Sequence, residues 1–163
     1  MGHYRLDLNE ILGDEYALIA IHCSAEAFKM AFYLNKYAGL RLQRRRRDLD
    51  FSKNGLDVLF PIFEYENVER YTTFNLLANK CTSVTAHITA TGGFFNLGLP
   101  EETIVSHVVP EYAKVDFFLK ITSEQETNPV RQYLAKILDI KQVISAYEVP
   151  LESLRSKHNL IFD

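Results

Sequence analysis

Two carboxylates, Glu111 and Asp116, lie five positions apart in the run Val108-Val109-Pro110-Glu111-Tyr112-Ala113-Lys114-Val115-Asp116-Phe117-Phe118-Leu119-Lys120-Ile121. Such a pair does general acid–base work, or holds a metal ion, when a fold brings both groups into one cleft. On one straight strand, positions five apart face opposite ways, so only a bend would join them. The alternative is a turn. Pro110 fixes φ and ends a ladder, Glu111 accepts backbone N–H groups, and Asp116 faces Lys114 or Lys120. The structural role is the one expected for Pro110, Glu111, Val115, Asp116 and Phe117.

The remaining reactive side chains are scattered. His3, His22, His87, His107 and His158 form no HxH or HExxH pattern, and Cys23 and Cys81 belong to no CxxC pair. A zinc site needs about four convergent ligands, so these residues are expected to be satisfied parts of the core. Cys23 precedes a predicted helix, whose N-terminus lowers a thiol pKa, but its neighbours Ile21 and Phe28 point to burial. Gly92-Gly93 lacks the lysine and the spacing of a phosphate loop. No catalytic residue, metal set or cofactor is expected from these patterns.

Two surfaces stand out instead. Arg41 and the run Arg44-Arg45-Arg46-Arg47 are predicted on a strand, with Arg44 and Arg46 on one face and Arg41, Arg45 and Arg47 on the other. Arginine forks match phosphate, and the flanking Tyr37 and Phe51 are aromatics of the kind that stack on unpaired bases. Against this, Asp48, Asp50, Glu64, Glu66 and Glu69 are near enough to form cross-strand pairs, and arginines also guard an exposed sheet edge. The second surface is Phe94, Phe95, Leu97 and Leu99, four large apolar residues within a loop. Loops carry such residues when they pack back over the sheet or meet a partner.

The elements that must carry these groups follow from periodicity. Tyr16 to Cys23 is apolar on both faces and reads as a central strand. Ser24 is placed to cap a helix from Ala25 to Ala38, whose inner face is Ala27, Met30, Ala31, Leu34 and Ala38. Gly39 suits its left-handed end, and a strand from Leu40 to Arg46 follows. Val58 to Tyr65 and Arg70 to Leu77 form a hairpin turning near Glu66-Asn67, with Pro61 marking an edge or a bulge. Ser83 to Ile88 and Thr103 to Val109 are further strands.

Val115 to Ile121 alternates as a half-buried strand. Asn128-Pro129 opens a helix with Val130, Tyr133, Leu134, Ile137 and Leu138 inward. Val143 to Val149 closes the sheet before Pro150, and Leu160, Ile161 and Phe162 pack the tail. The expected fold is therefore α+β: a mainly antiparallel sheet with two β-α-β-like units of ferredoxin-like tendency. The units span about 16–47 and 115–149, with a strand-rich insertion at about 56–110 and a tail at 150–163, all in one domain.

The whole chain has 163 residues, 47% hydrophobic and 24% charged, with a net charge of −3. That is an ordinary globular composition and argues against a generally basic nucleic-acid binder. No apolar run approaches the ~20 residues of a membrane-spanning helix, and no apolar segment of signal-peptide length opens the chain. By elimination a cytoplasmic location is expected, with both cysteines reduced.

The segment Val109-Pro110-Glu111 through Val115-Asp116-Phe117 resembles the motif that names the IPExxVDY family. Ser156-Lys157-His158-Asn159-Leu160-Ile161-Phe162 and Tyr16-Ala17-Leu18-Ile19-Ala20-Ile21-His22 are similar to the same group, so the resemblance spans most of the chain. Val109 stands for isoleucine and Phe117 for tyrosine, and three residues instead of two separate Glu111 from Val115. The resemblance implies a small bacterial protein of the Bacteroidetes and brings no catalytic residue with it.

Three readings of function follow. The first is a non-enzymatic binding or assembly domain acting through protein contacts, as a homo-oligomer or with another protein, by the Phe94 to Leu99 loop or an edge strand. The second is RNA or polyanion binding by the arginine stripe. The third is an enzyme or ligand sensor using Glu111, Asp116 or Cys23 in a cleft. No membrane partner is expected.

Overall fold

The computed structural model describes residues 16–52, 56–85, 102–124 and 129–162. Strand β1 (Tyr16–His22) is buried over its five central residues, as its two apolar faces require. Helix α1 (Ala27–Ala38) starts two residues later than its periodicity predicts. Ser24 makes no cap; the N-cap is Glu26, without a side-chain bond. The buried face is Met30, Ala31, Leu34 and Ala38, and Gly39 ends the helix at φ 71°, returning its N–H to the Leu34 carbonyl.

The strand predicted over Leu40 to Arg46 shrinks to β2 (Gln43–Arg44), followed by β3 (Leu49–Asp50) and β4 (Leu59–Phe60). Pro61 has no N–H to donate and separates β4 from β5 (Ile62–Asn67). A 3-10 turn follows, where Asn67 accepts the Arg70 N–H and Tyr71 turns the chain at φ 48°. Strand β6 (Thr72–Ala78) completes the hairpin with β5. Among the described residues, strands β7 (Lys80–Thr85) and β8 (Glu102–His107) pair only with each other. Strand β9 (Phe117–Ser123), helix α2 (Val130–Leu138) and strand β10 (Ser145–Glu148) end the fold.

The main sheet runs β10-β1-β9-β6-β5-β2 with every neighbouring pair antiparallel. Strands β9 and β10 are therefore parallel and flank β1, a split β-α-β unit. Taken with α1 and β6, the six core elements show the strand order of a ferredoxin-like sandwich. In the first unit, β2 is parallel to β1 but lies at the far edge, with β9, β6 and β5 between them. The fold is α+β with a mainly antiparallel sheet.

Both faces of the sheet are covered. The helices pack on Ile19, Ile21, Phe74, Leu76, Leu119 and Ile121. Leu138, predicted inward on α2, is 52% exposed, because the helix turns Val130, Tyr133 and Ile137 to the sheet. The opposite face, Leu18, Ala20, Leu77 and Phe118, is covered by Val58 and Phe60, by Val108, Val109 and Val115, and by Val149, Leu154 and Leu160. In the tail Leu160 is buried, whereas Ile161 is 69% exposed and does not pack. No helix among the described residues is long and apolar enough to cross a membrane.

Candidate functional site

The signature segment lies where β8 gives way to β9. Pro110–Tyr112 forms one 3-10 turn, and the hub beneath it is Asn79, fully buried between β6 and β7. Asn79 Nδ2 donates to the Tyr112 and Val115 carbonyls at 2.9 and 3.0 Å, and its Oδ1 accepts the Val109 N–H at 2.9 Å. Its backbone N–H bonds the Asp116 carbonyl, and its carbonyl accepts the Val108 N–H. One amide thus replaces the ladder that the proline interrupts. Val115 and Phe117 are buried beside it.

The two carboxylates have separate partners. Glu111 Oε1 accepts the Arg155 and Ser156 N–H groups at 2.7 and 2.8 Å, and Oε2 accepts the Ser156 hydroxyl at 2.8 Å. Burial pushes this carboxyl up, but the Ser156 N–H, its own N–H, the Ser156 hydroxyl and the Arg155 N–H outweigh that and hold it below its ordinary value. Asp116 faces neither Lys114 nor Lys120, as the alternation suggested. Its Oδ2 accepts the Cys23 N–H at 2.9 Å and its Oδ1 pairs with Lys80 Nζ at 2.9 Å, because Asp116 sits just before β9 with its backbone bonded to Ile21 and Asn79, beside the chain ends that carry Cys23 and Lys80. Lys120 instead reaches the tail, donating to the Leu160 carbonyl at 2.7 Å and lying over the Phe162 ring.

Cys23 is buried, Cys81 is half-buried, and both are free. His22 Nε2 is 3.3 Å from the Tyr147 hydroxyl, and burial, with Tyr112 adding, pushes that phenol up. Among the described residues no three His, Cys, Asp or Glu side chains form a metal set. Phe94, Phe95, Leu97 and Leu99 lie outside the described residues, as do His3, His87 and Gly92-Gly93.

The arginines do not alternate along a strand. After β2 the chain bends at Arg46-Arg47, so the two-face prediction for Arg41 to Arg47 fails. Arg44 Nη2 meets both Asp48 carboxylate oxygens at 2.9 Å. Arg45 Nε stands 3.9 Å from Glu64, which also accepts from buried Asn75. Arg41, Arg46 and Arg47 are exposed and make no ion pair among the described residues. Phe51 is not available for stacking; it packs edge-on against Phe60 in the second core. Three outward aromatics are on α1: Phe28, 60% exposed, Phe32, 57% exposed, and Tyr37 at its end.

No family model, curated protein or solved structure matches this chain. The residues that sequence reasoning missed are Asn79, Phe28 and Phe32. Asn79 sits among strand residues with no local cue. Phe28 and Phe32 fall outside the inner helical face, and their positions in the period were the signal that could have found them.

Proposed function

We propose that this chain is a non-enzymatic binding domain that acts through protein contacts at the β10 edge of its sheet. The observation that carries the reading is the apolar surface beside that edge: Ile144 is 74% exposed and Leu138 52%, at either end of the α2–β10 connection, with Tyr147 39% exposed on the strand itself. Edge strands offer unpaired backbone groups to a partner. Glu111 and Asp116, the carboxylates best placed for chemistry by sequence, are engaged with backbone donors and Lys80. Light scattering across a concentration series tests this. Association that Ile144→Asp abolishes is expected; a strict monomer at every concentration overturns it.

A second reading, polyanion binding at the arginine bend, is favoured by the exposure of Arg41, Arg46 and Arg47 without ion pairs among the described residues. It predicts heparin retention at low salt that Arg46→Ala/Arg47→Ala reduces. Retention unchanged by that double substitution removes it. Kinship with the IPExxVDY proteins belongs to the same proposal and is supported by Pro110-Glu111 and Val115-Asp116; a cytoplasmic location belongs to it too and is supported by the free thiols of Cys23 and Cys81.

A further inference from the structure

Helix α1 and the arginine bend share one run of chain, 27–47, and that run is electrically unlike the rest. It holds 7 of the chain's 18 Lys and Arg and none of its 21 Asp and Glu, leaving 11 basic against 21 acidic side chains elsewhere. The net charge of −3 hides this asymmetry. Asn35 ties the two parts of the run together where the chain returns. Its Nδ2 donates to the Leu42 carbonyl at 3.1 Å and its Oδ1 accepts the Leu42 N–H at 2.8 Å. The returning chain is thereby held beside the helix, with Leu40 and Leu42 buried and Arg41 and Gln43 exposed.

The outer face of α1 is the other exposed part of the run. Phe28, Phe32 and Lys36 recur at four-residue spacing and so line one stripe, roughly 12 Å long at 1.5 Å per residue. The helix's own core face is already turned to the sheet through Met30, Ala31, Leu34 and Ala38. Cations interleave with the rings: Lys29 Nζ lies 5.7 Å from the Phe28 centroid and Lys36 Nζ 5.1 Å from that of Tyr37.

We propose that this face binds single-stranded nucleic acid, with phosphates at Lys36, Arg41, Arg46 and Arg47 and bases stacked on Phe28 and Phe32. The proposal rests on the polyanion reading above and adds the ligand class and the aromatic half of the site. A phenyl ring has no hydrogen-bonding group, so it takes any unpaired base by its π-face. Guanidinium forks beside it take the backbone. A duplex hides its base faces. A helix lying in a bilayer needs its continuous apolar face turned to lipid, and here that face is under the sheet.

The test is fluorescence anisotropy of a labelled single-stranded RNA oligonucleotide of mixed sequence with the full chain, titrated at several salt concentrations. Phe28→Ala and Phe32→Ala each weaken binding about tenfold and leave the salt slope unchanged. Phe→Tyr at the same positions retains affinity. Arg46→Ala/Arg47→Ala weakens binding and flattens the slope by about 1.4. All four positions are exposed, and far-UV circular dichroism checks that the variants fold. Phenylalanine variants that bind like wild type overturn the inference, even where heparin retention still depends on Arg46 and Arg47. Equal affinity for a duplex of the same sequence also overturns it. So does phenylalanine-dependent binding to phosphatidylserine vesicles without oligonucleotide binding.

Discussion

Asn79 Oδ1 accepts the backbone N–H of Val109 at 2.9 Å, in a site closed to solvent. Because Asn79 also donates to two carbonyls of the same turn, a single side chain holds the segment that carries Pro110 and Glu111. Replacing it by alanine leaves the buried Val109 N–H and the Val115 carbonyl without these partners, while the Tyr112 carbonyl keeps the Val115 N–H. Asn79→Ala is expected to lower stability by about 3 kcal/mol. Asn79→Asp, which turns a carboxylate toward the Tyr112 and Val115 carbonyls, is expected to be at least as damaging. Urea unfolding checks both, through a lower midpoint at unchanged slope.

Glu111 ties the same turn to the tail, and its acidity gives that contact a pH signature. Its folded pKa lies below the ordinary 4.5. A lowered acid contributes stability above its unfolded pKa and loses it as pH falls through the folded value. Glu111→Gln is thus expected to cost about 1 kcal/mol at neutral pH, modest because the group is exposed. The difference from wild type should disappear in acid, once the carboxyl of the wild type is protonated. Thermal unfolding of both proteins from neutral to acidic pH reads this; a gap that stays constant below the carboxylate range contradicts it.

Asp116 makes two bonds of unequal importance. Its ion pair with Lys80 has side chains 38% and 28% exposed, where such pairs contribute up to about 1 kcal/mol. The bond to the Cys23 N–H anchors the end of β1. Lys80→Met is expected to change stability by less than about 1 kcal/mol, and Asp116→Ala by about twice that, since it also leaves the Cys23 N–H without its acceptor. A double-mutant cycle by chemical denaturation separates the two.

Gly39 tests backbone strain alone. Its φ is +71°, and a Cβ there would meet nothing within 4 Å. Gly39→Ala is expected to cost about 1–2 kcal/mol through the left-handed conformation, and Gly39→Asn distinctly less. Equal melting temperatures for wild type and Gly39→Ala would contradict this account.

Much of the fold was legible in order. Tyr16–His22 reads as a central strand because both faces are apolar, and Gly39 reads as a helix end because few residues enter its conformation cheaply. Pro61 and Pro150 mark breaks because they lack an N–H. The misreadings share one cause. Local pattern alone puts Ser24 at a cap, Leu138 and Ile161 inward and Arg41 to Arg47 on a strand, whereas the helix starts at Ala27, both apolar side chains are exposed and the chain bends at Arg46-Arg47. Asp116 met Lys80, not Lys114 or Lys120, because its backbone is bonded to Asn79 in the neighbouring chain, next to Lys80.

Taken alone, the sequence determined the kinds of elements, the α+β class and the basic character of 27–47, since periodicity, glycine, proline and charge act within a few residues. Tertiary structure decided what meets what. It brought Asn79 under Val109 and Glu111 against Ser156, and it left Phe28 and Phe32 exposed on the outer side of α1. Those contacts join residues up to 45 positions apart, and they form only once the sheet order has placed their strands.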